Sequence, residues 1–209
     1  MTTILKVKTN DNSITFHNEE FDETYHSTSG ALEESFKKFI EPSDIKENSN
    51  ILDICFGIGY NSYAAIKNKK NIKITALEND PNILKKTEEI TIDKEYEIIK
   101  LLAKNKKYKD NNYELKLILG DAKVTITQLK KEPTFDYIFL DPFSPKKCPE
   151  LWTESFFKEI FLRCKPGAIL TTYSCARVVR DNLKVVGFTI KNGPCIGRRA
   201  PSTIATKSL

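Results

Sequence analysis

Apolar residues cluster in four short runs, at 51–54, 72–77, 115–119 and 135–140, and each run stops at a turn residue or an acid: Cys55-Phe56-Gly57, Glu78, Gly120-Asp121 and Asp141. Runs of this length that are apolar nearly throughout suit strands buried on both faces. The segments between them carry helical spacing. Pro81 opens one with Ile83 and Leu84, a lysine-rich stretch continues to about Lys107 before Asp110-Asn111-Asn112 ends it, and a short helix is expected from Asp121 to Leu129. Strands alternating with helices predict an α/β fold with a mostly parallel sheet.

The ends of the chain depart from that alternation. Residues 5–16 alternate apolar and polar around Asn10-Asp11-Asn12, which predicts a hairpin, and Leu32, Phe36, Phe39 and Ile40 predict an amphipathic helix stopped by Pro42. After Asp141, Pro149 and Glu150 open a helix with Trp152, Phe156 and Ile160 on one face. That helix is expected to end near Lys165, where Pro166-Gly167 turns into a strand over 168–173. A helix over 176–186 precedes two last strands, 187–190 and 203–206. They are joined without a helix and so are expected to form an antiparallel edge hairpin. The chain divides into an N-terminal extension, 1–49, and a core, 50–209, in one compact domain.

At 209 residues, 40% hydrophobic and 29% charged, the chain can bury one sizeable core. No apolar run approaches the roughly 20 residues that span a bilayer, and Met-Thr-Thr-Ile-Leu-Lys lacks the apolar core of a secretion signal. A cytoplasmic address is predicted. The five cysteines are scattered and the two histidines, His17 and His26, lie far from them in sequence, so neither a metal site nor a histidine-based triad is expected. The net charge of +5 permits an anionic macromolecular partner. Basic residues cluster at 100–109, at Lys146-Lys147, at Arg177 with Arg180, and at Arg198-Arg199.

Candidate chemistry gathers at the carboxyl ends of the strands, where open α/β sheets bind ligands. Asp53-Ile-Cys-Phe-Gly-Ile-Gly-Tyr-Asn61 reads as strand, glycine turn and helix start, with Gly57 and Gly59 allowing a ligand close to the backbone. Glu78 follows the glycines at the separation expected of a carboxylate that accepts ribose hydroxyls. A nicotinamide-dinucleotide fold would share that feature. The missing third glycine, and Gly120-Asp121-Ala122 with its carboxylate for an adenine amino group, favour S-adenosylmethionine.

Four segments carry a family resemblance: Phe21-Asp-Glu-Thr-Tyr-His-Ser-Thr-Ser-Gly-Ala-Leu-Glu-Glu-Ser35, Phe56-Gly-Ile-Gly-Tyr-Asn61, Asp141-Pro-Phe-Ser-Pro-Lys-Lys-Cys-Pro-Glu-Leu-Trp-Thr153, and Gly197-Arg-Arg. Together they resemble the methyltransferase part of MnmC, the modifying enzyme of tRNA wobble uridine, over nearly the whole chain and in a form without the flavin-dependent oxidoreductase domain. The resemblance implies a Rossmann-like class I methyltransferase that moves a methyl group from S-adenosylmethionine to the aminomethyl amine on C5 of wobble uridine, often on a 2-thiolated base. It also implies a separate enzyme supplying the aminomethyl group. Another amine on protein or nucleobase, or a non-catalytic cofactor- and RNA-binding subunit, are the alternatives.

Asp141 is the expected catalytic carboxylate, equally placed to hold the cofactor's ammonium. Tyr25, Ser27, Glu33, Asp53, Phe56, Gly57, Gly59, Asn61, Glu78, Asp121 and Ala122 complete the expected cofactor set. Phe143 and Trp152 are expected to wall the uridine pocket, and Lys146, Lys147, Arg198 and Arg199 to meet tRNA phosphates. Two positions depart from the family: Cys55 stands where relatives commonly have glycine, and Pro142 where they have glycine or alanine. The second makes Asp-Pro-Phe resemble the acidic-Pro-Pro-aromatic signature of amino-methyltransferases.

Overall fold

Eight strands form one sheet in a computed structural model that describes residues 3–197 and 199–208. Asn50–Ile54 (β4), Ile72–Glu78 (β5), Tyr113–Leu119 (β7), Phe135–Leu140 (β8) and Cys164–Thr172 (β9) run parallel. Lys107–Lys109 (β6), Phe188–Asn192 (β10) and Thr203–Lys207 (β11) run antiparallel to their neighbours. The strand order is β10-β11-β9-β8-β4-β5-β7-β6. The chain therefore leaves β4 in one direction and returns on its other side at β8, which makes the β4/β8 boundary the topological switch point.

Alternation along each strand sends side chains to two separate cores. Ile51, Ile74, Ala76, Tyr137 and Phe139 pack with helices Tyr60–Asn68 (α2) and Lys94–Asn105 (α4). Leu52, Ile54, Leu77, Ile138 and Leu140 pack with Glu154–Arg163 (α6) and Arg177–Val185 (α7). Both faces are covered, as the unbroken apolar runs require. Among the described residues no helix is long and apolar enough to cross a membrane.

The N-terminal hairpin pairs Ile4–Lys8 (β1) with Ile14–Asn18 (β2), and a two-residue strand, Glu23–Thr24 (β3), joins its far edge. The Tyr60 hydroxyl donates to the Ile14 carbonyl at 2.7 Å and fastens this small sheet to α2. The predicted helix after it is a short α-helix, Ala31–Glu34 (α1), that widens into a π-helical turn over Ser35–Ile40.

Three sequence expectations are corrected. The lysine-rich helix ends at Asn105, and Lys107-Tyr108-Lys109 is an edge strand instead. Strand β9 begins at Cys164, so Pro166-Gly167 lies inside it, at a register shift against β8 that Gly167 accommodates at φ 79°. The helix predicted after Pro149 splits into a 3-10 turn, Pro149–Trp152, and α6, whose N-terminus Thr153 caps by accepting from the Phe156 amide.

Candidate active site

A cleft of about 590 Å³ opens at the carboxyl ends of the parallel strands, roofed by the segment between β2 and α1. Its floor is the turn after β4. Cys55, Gly57 and Gly59 all take left-handed backbone, at φ 66°, 57° and 77°. Gly57 faces the cleft. At Gly59 a Cβ would come within 2.5 Å of both Ile99 and Phe56, so this glycine is needed for packing rather than for a ligand. Cys55, which lines the cleft, holds the same conformation with a side chain, and burial pushes its thiol up.

Glu78 ties that turn to the next strand end. One carboxylate oxygen accepts from the Gly57 amide at 2.7 Å and the other from the Asn79 and Asp80 amides at 2.9 and 2.8 Å. Burial raises its pKa, and the three amides work against that shift. A carboxylate has lone pairs beyond these three, so Glu78 can accept further hydroxyl donors from within the cleft. Asp121 caps the helix Ala122–Thr125 (α5) by accepting from the Lys123 amide, and its half-exposed side chain lines the same cleft with Ala122.

Asp141, at the end of β8, faces the cleft with its side chain 9% exposed. It accepts from Asn61 Nδ2 at 2.8 Å, and His26 Nε2 lies 3.9 Å away. Burial, then the charge of Glu34, push its pKa well above the carboxylate range. His26 is pushed down to about 4 by burial. Among the described residues His26 Nδ1, Asn61 Oδ1 and Asp53 Oδ1 are buried without a hydrogen-bond partner. Asp53 sits beneath the cleft under α2, where it accepts from the Ser62 hydroxyl at 2.6 Å and burial raises its pKa to about 7.

The loop after Asp141 forms the opposite lip. The Phe143 ring stacks on Phe21 at 4.6 Å and tilts against Tyr25 at 5.0 Å. Glu23 accepts from the amide and the hydroxyl of Ser144, joining the lip to the roof. The Tyr173 hydroxyl donates to the Pro142 carbonyl at 2.9 Å.

The structure thus brings Tyr25, Ser27, Gly57, Glu78, Asp121, Ala122, Asp141 and Phe143 to one cleft. Phe56, Gly59, Asn61 and Asp53 stand behind it as supports. Glu33 is not brought there: its side chain pairs with Lys37 at 2.6 Å, while Glu34, one residue or about 100° further round the helix, faces the cleft. Trp152 is not a wall either. The 3-10 turn buries it to 2% exposure, and its indole N–H donates to the Phe143 carbonyl at 2.9 Å, so it braces the lip from behind. Lys146, Lys147 and Arg199 are exposed, Lys147 lies 3.6 Å from Asp22, and Arg198 lies outside the described residues.

Sequence reasoning passed over His26, Glu34 and Lys38, all of which line the cleft. The one available signal was the i, i+4 spacing of Glu34 and Lys38.

Acids spread along a cleft, a glycine floor and buried acceptors without partners suit a ligand that carries hydroxyls, an amino group and positive charge. A family profile described as S-adenosyl-L-methionine-dependent methyltransferase matches residues 84–208. The crystal structure of MnmC2 from Aquifex aeolicus superposes with a TM-score of 0.86 at 31% identity, covering 100% of this chain and 72% of that one. The chain belongs to the S-adenosyl-L-methionine-dependent methyltransferase family, in its MnmC branch. An uncharacterised protein of Methanocaldococcus jannaschii is 37% identical over 97% of this methyltransferase and 59% of its own length. The tRNA 5-methylaminomethyl-2-thiouridine biosynthesis bifunctional protein MnmC of Leptospira interrogans is 31% identical over 94% of the chain and 34% of its own length. The methyltransferase therefore spans about a third of that bifunctional relative and under two thirds of the archaeal one. S-adenosylmethionine is its cofactor, and the fold is that of the class I methyltransferases.

Proposed function

We propose that this enzyme methylates the primary amine of 5-aminomethyluridine at the wobble position of tRNA, giving 5-methylaminomethyl-(2-thio)uridine. The observation that carries the reading is the Asp141 carboxylate, held by Asn61 at the switch point beside the glycine floor and directly before the aromatic lip. The similarity to MnmC2 and to the bifunctional MnmC proteins supports the same acceptor.

Gly57 offers open backbone to the cofactor, Glu78 accepts from its ribose hydroxyls, and Asp121 accepts from its adenine amino group. Tyr25 and Ser27 close over it from the roof. When bound, S-adenosylmethionine supplies a methyl group on a positively charged sulfur.

An alkylammonium with a pKa of about 10 must lose a proton before its nitrogen can attack. Asp141 holds that cation and receives the proton. Burial raises its pKa, and the neighbouring ammonium offsets this by favouring the ionised carboxylate that takes the proton. Phe143 offers a ring face for the uridine, since stacking a base on an aromatic contributes about 1–3 kcal/mol. Lys146, Lys147 and Arg199 meet backbone phosphates, which position the anticodon arm without reading sequence.

The test is incubation with labelled S-adenosylmethionine and tRNA carrying 5-aminomethyluridine, followed by nucleoside analysis. Labelled 5-methylaminomethyluridine is expected, with none on unmodified tRNA. A folded, cofactor-bound protein that leaves this nucleoside unlabelled, or labels protein instead, refutes the assignment.

A further inference from the structure

Lys38 lies on the π-helical turn with its side chain 3% exposed, and its ammonium donates to Glu34 Oε1 at 2.5 Å. The other Glu34 oxygen accepts from the Ser27 amide at 2.8 Å. Both members of the pair line the cleft. An ammonium has three protons and this contact uses one. A buried ion pair contributes little net stability compared with apolar residues of the same volume, so its value to the fold does not account for a lysine here.

The surroundings say what the lysine can do. Lys38 is the one lysine or arginine among the described residues of the cleft wall, and every other charged side chain there is a carboxylate, His26 being neutral. Asp141 lies close enough to feel both Lys38 and Glu34. Asn61 Oδ1, on the residue that holds Asp141, is buried with no partner. This end of the cleft therefore offers carboxylates to an ammonium and, beside them, one cation to a carboxylate. That is the complement of an α-amino acid zwitterion.

We propose that Lys38 binds the α-carboxylate of the cofactor's methionine end. The inference rests on the cleft being the cofactor site. It sets the ligand's direction, with the amino acid end toward α1 and the adenosine end toward Glu78 and Asp121. It also explains the one lysine among the described residues of an acidic cleft, since the carboxylate is the one negative group the ligand carries.

Calorimetric titration with S-adenosylmethionine and with decarboxylated S-adenosylmethionine isolates the contact without any turnover. Wild type is expected to prefer the carboxylated ligand by about tenfold or more, the size of one charge-assisted hydrogen bond. In Lys38→Met that preference collapses while the affinity for the decarboxylated ligand changes little. Glu34→Gln/Lys38→Met removes both charges together and gives the same collapse if the single variant does not fold. A preference that persists in either folded variant overturns the proposal. Wild-type binding that survives Gly57→Val, which places a branched side chain on the cleft floor, moves the cofactor elsewhere and overturns the cleft assignment with it.

Discussion

Replacing Glu78 by Gln tests whether one carboxylate organises the floor of the cleft. The native side chain accepts three backbone amides, from Gly57 on one oxygen and from Asn79 and Asp80 on the other. A glutamine has one oxygen. If it serves Asn79 and Asp80, its NH₂ points at the Gly57 N–H and two donors meet; the reverse orientation sets it against two amides. At least one charge-assisted hydrogen bond is lost, worth about 1.5–3 kcal/mol, and a buried donor is left without an acceptor. Removing a desolvated charge returns part of that, so the net cost comes to about 2 kcal/mol. For a chain of this size that lowers Tm by about 4–8 °C. Differential scanning calorimetry of the ligand-free variant measures the shift, and titration with S-adenosylmethionine should show weakened binding as the Gly57 turn loosens. An unchanged Tm would refute the claim that Glu78 holds the turn, whatever happens to affinity.

Gly59→Ala should destabilise by about 2–4 kcal/mol in urea unfolding, because it combines a positive φ with a Cβ 2.5 Å from Ile99 and Phe56. Asp141→Asn should lower kcat by about 100-fold or more with tRNA bearing the aminomethyl group, while the variant keeps its fold by circular dichroism. Neutral His26, held at about 4 against an ordinary 6.5, contributes stability that is complete above pH 6.5 and is lost as pH falls toward 4. Between pH 7.5 and 5, wild type should lose about 2 kcal/mol that His26→Phe does not lose, and parallel unfolding curves for the two would refute the burial argument. Affinity for tRNA should fall with salt, and Lys146→Ala should reduce the slope of log affinity against log salt by about 1.

The sheet and the acids at its strand ends were legible because buried parallel strands leave long apolar runs and the fold puts their carboxyl ends together. Glu78, Asp121 and Asp141 could be placed on one edge from that pattern, and they line one cleft. What escaped depends on angle rather than type. Glu33 and Glu34 are adjacent acids on a short helix, and helical phase decides which looks inward. Lys38, four residues after Glu34, shares its inward face. Trp152 has the composition of a stacking residue, yet a 3-10 turn directs its ring into the core. Lys107-Tyr108-Lys109 is too short to show a strand's alternation apart from the lysine-rich helix before it.

The π-helical turn makes spacing, more than residue identity, the quantity that selection must protect in this segment. Removing one residue between Ser35 and Ile40 would tighten the coil to ordinary α geometry and swing everything on one side of the cut by about 100°. A buried cation would then rotate off the cleft wall with no side chain exchanged. Homologues that differ here by a single insertion or deletion should therefore present a different wall at this point, even where their strands and acids align residue for residue.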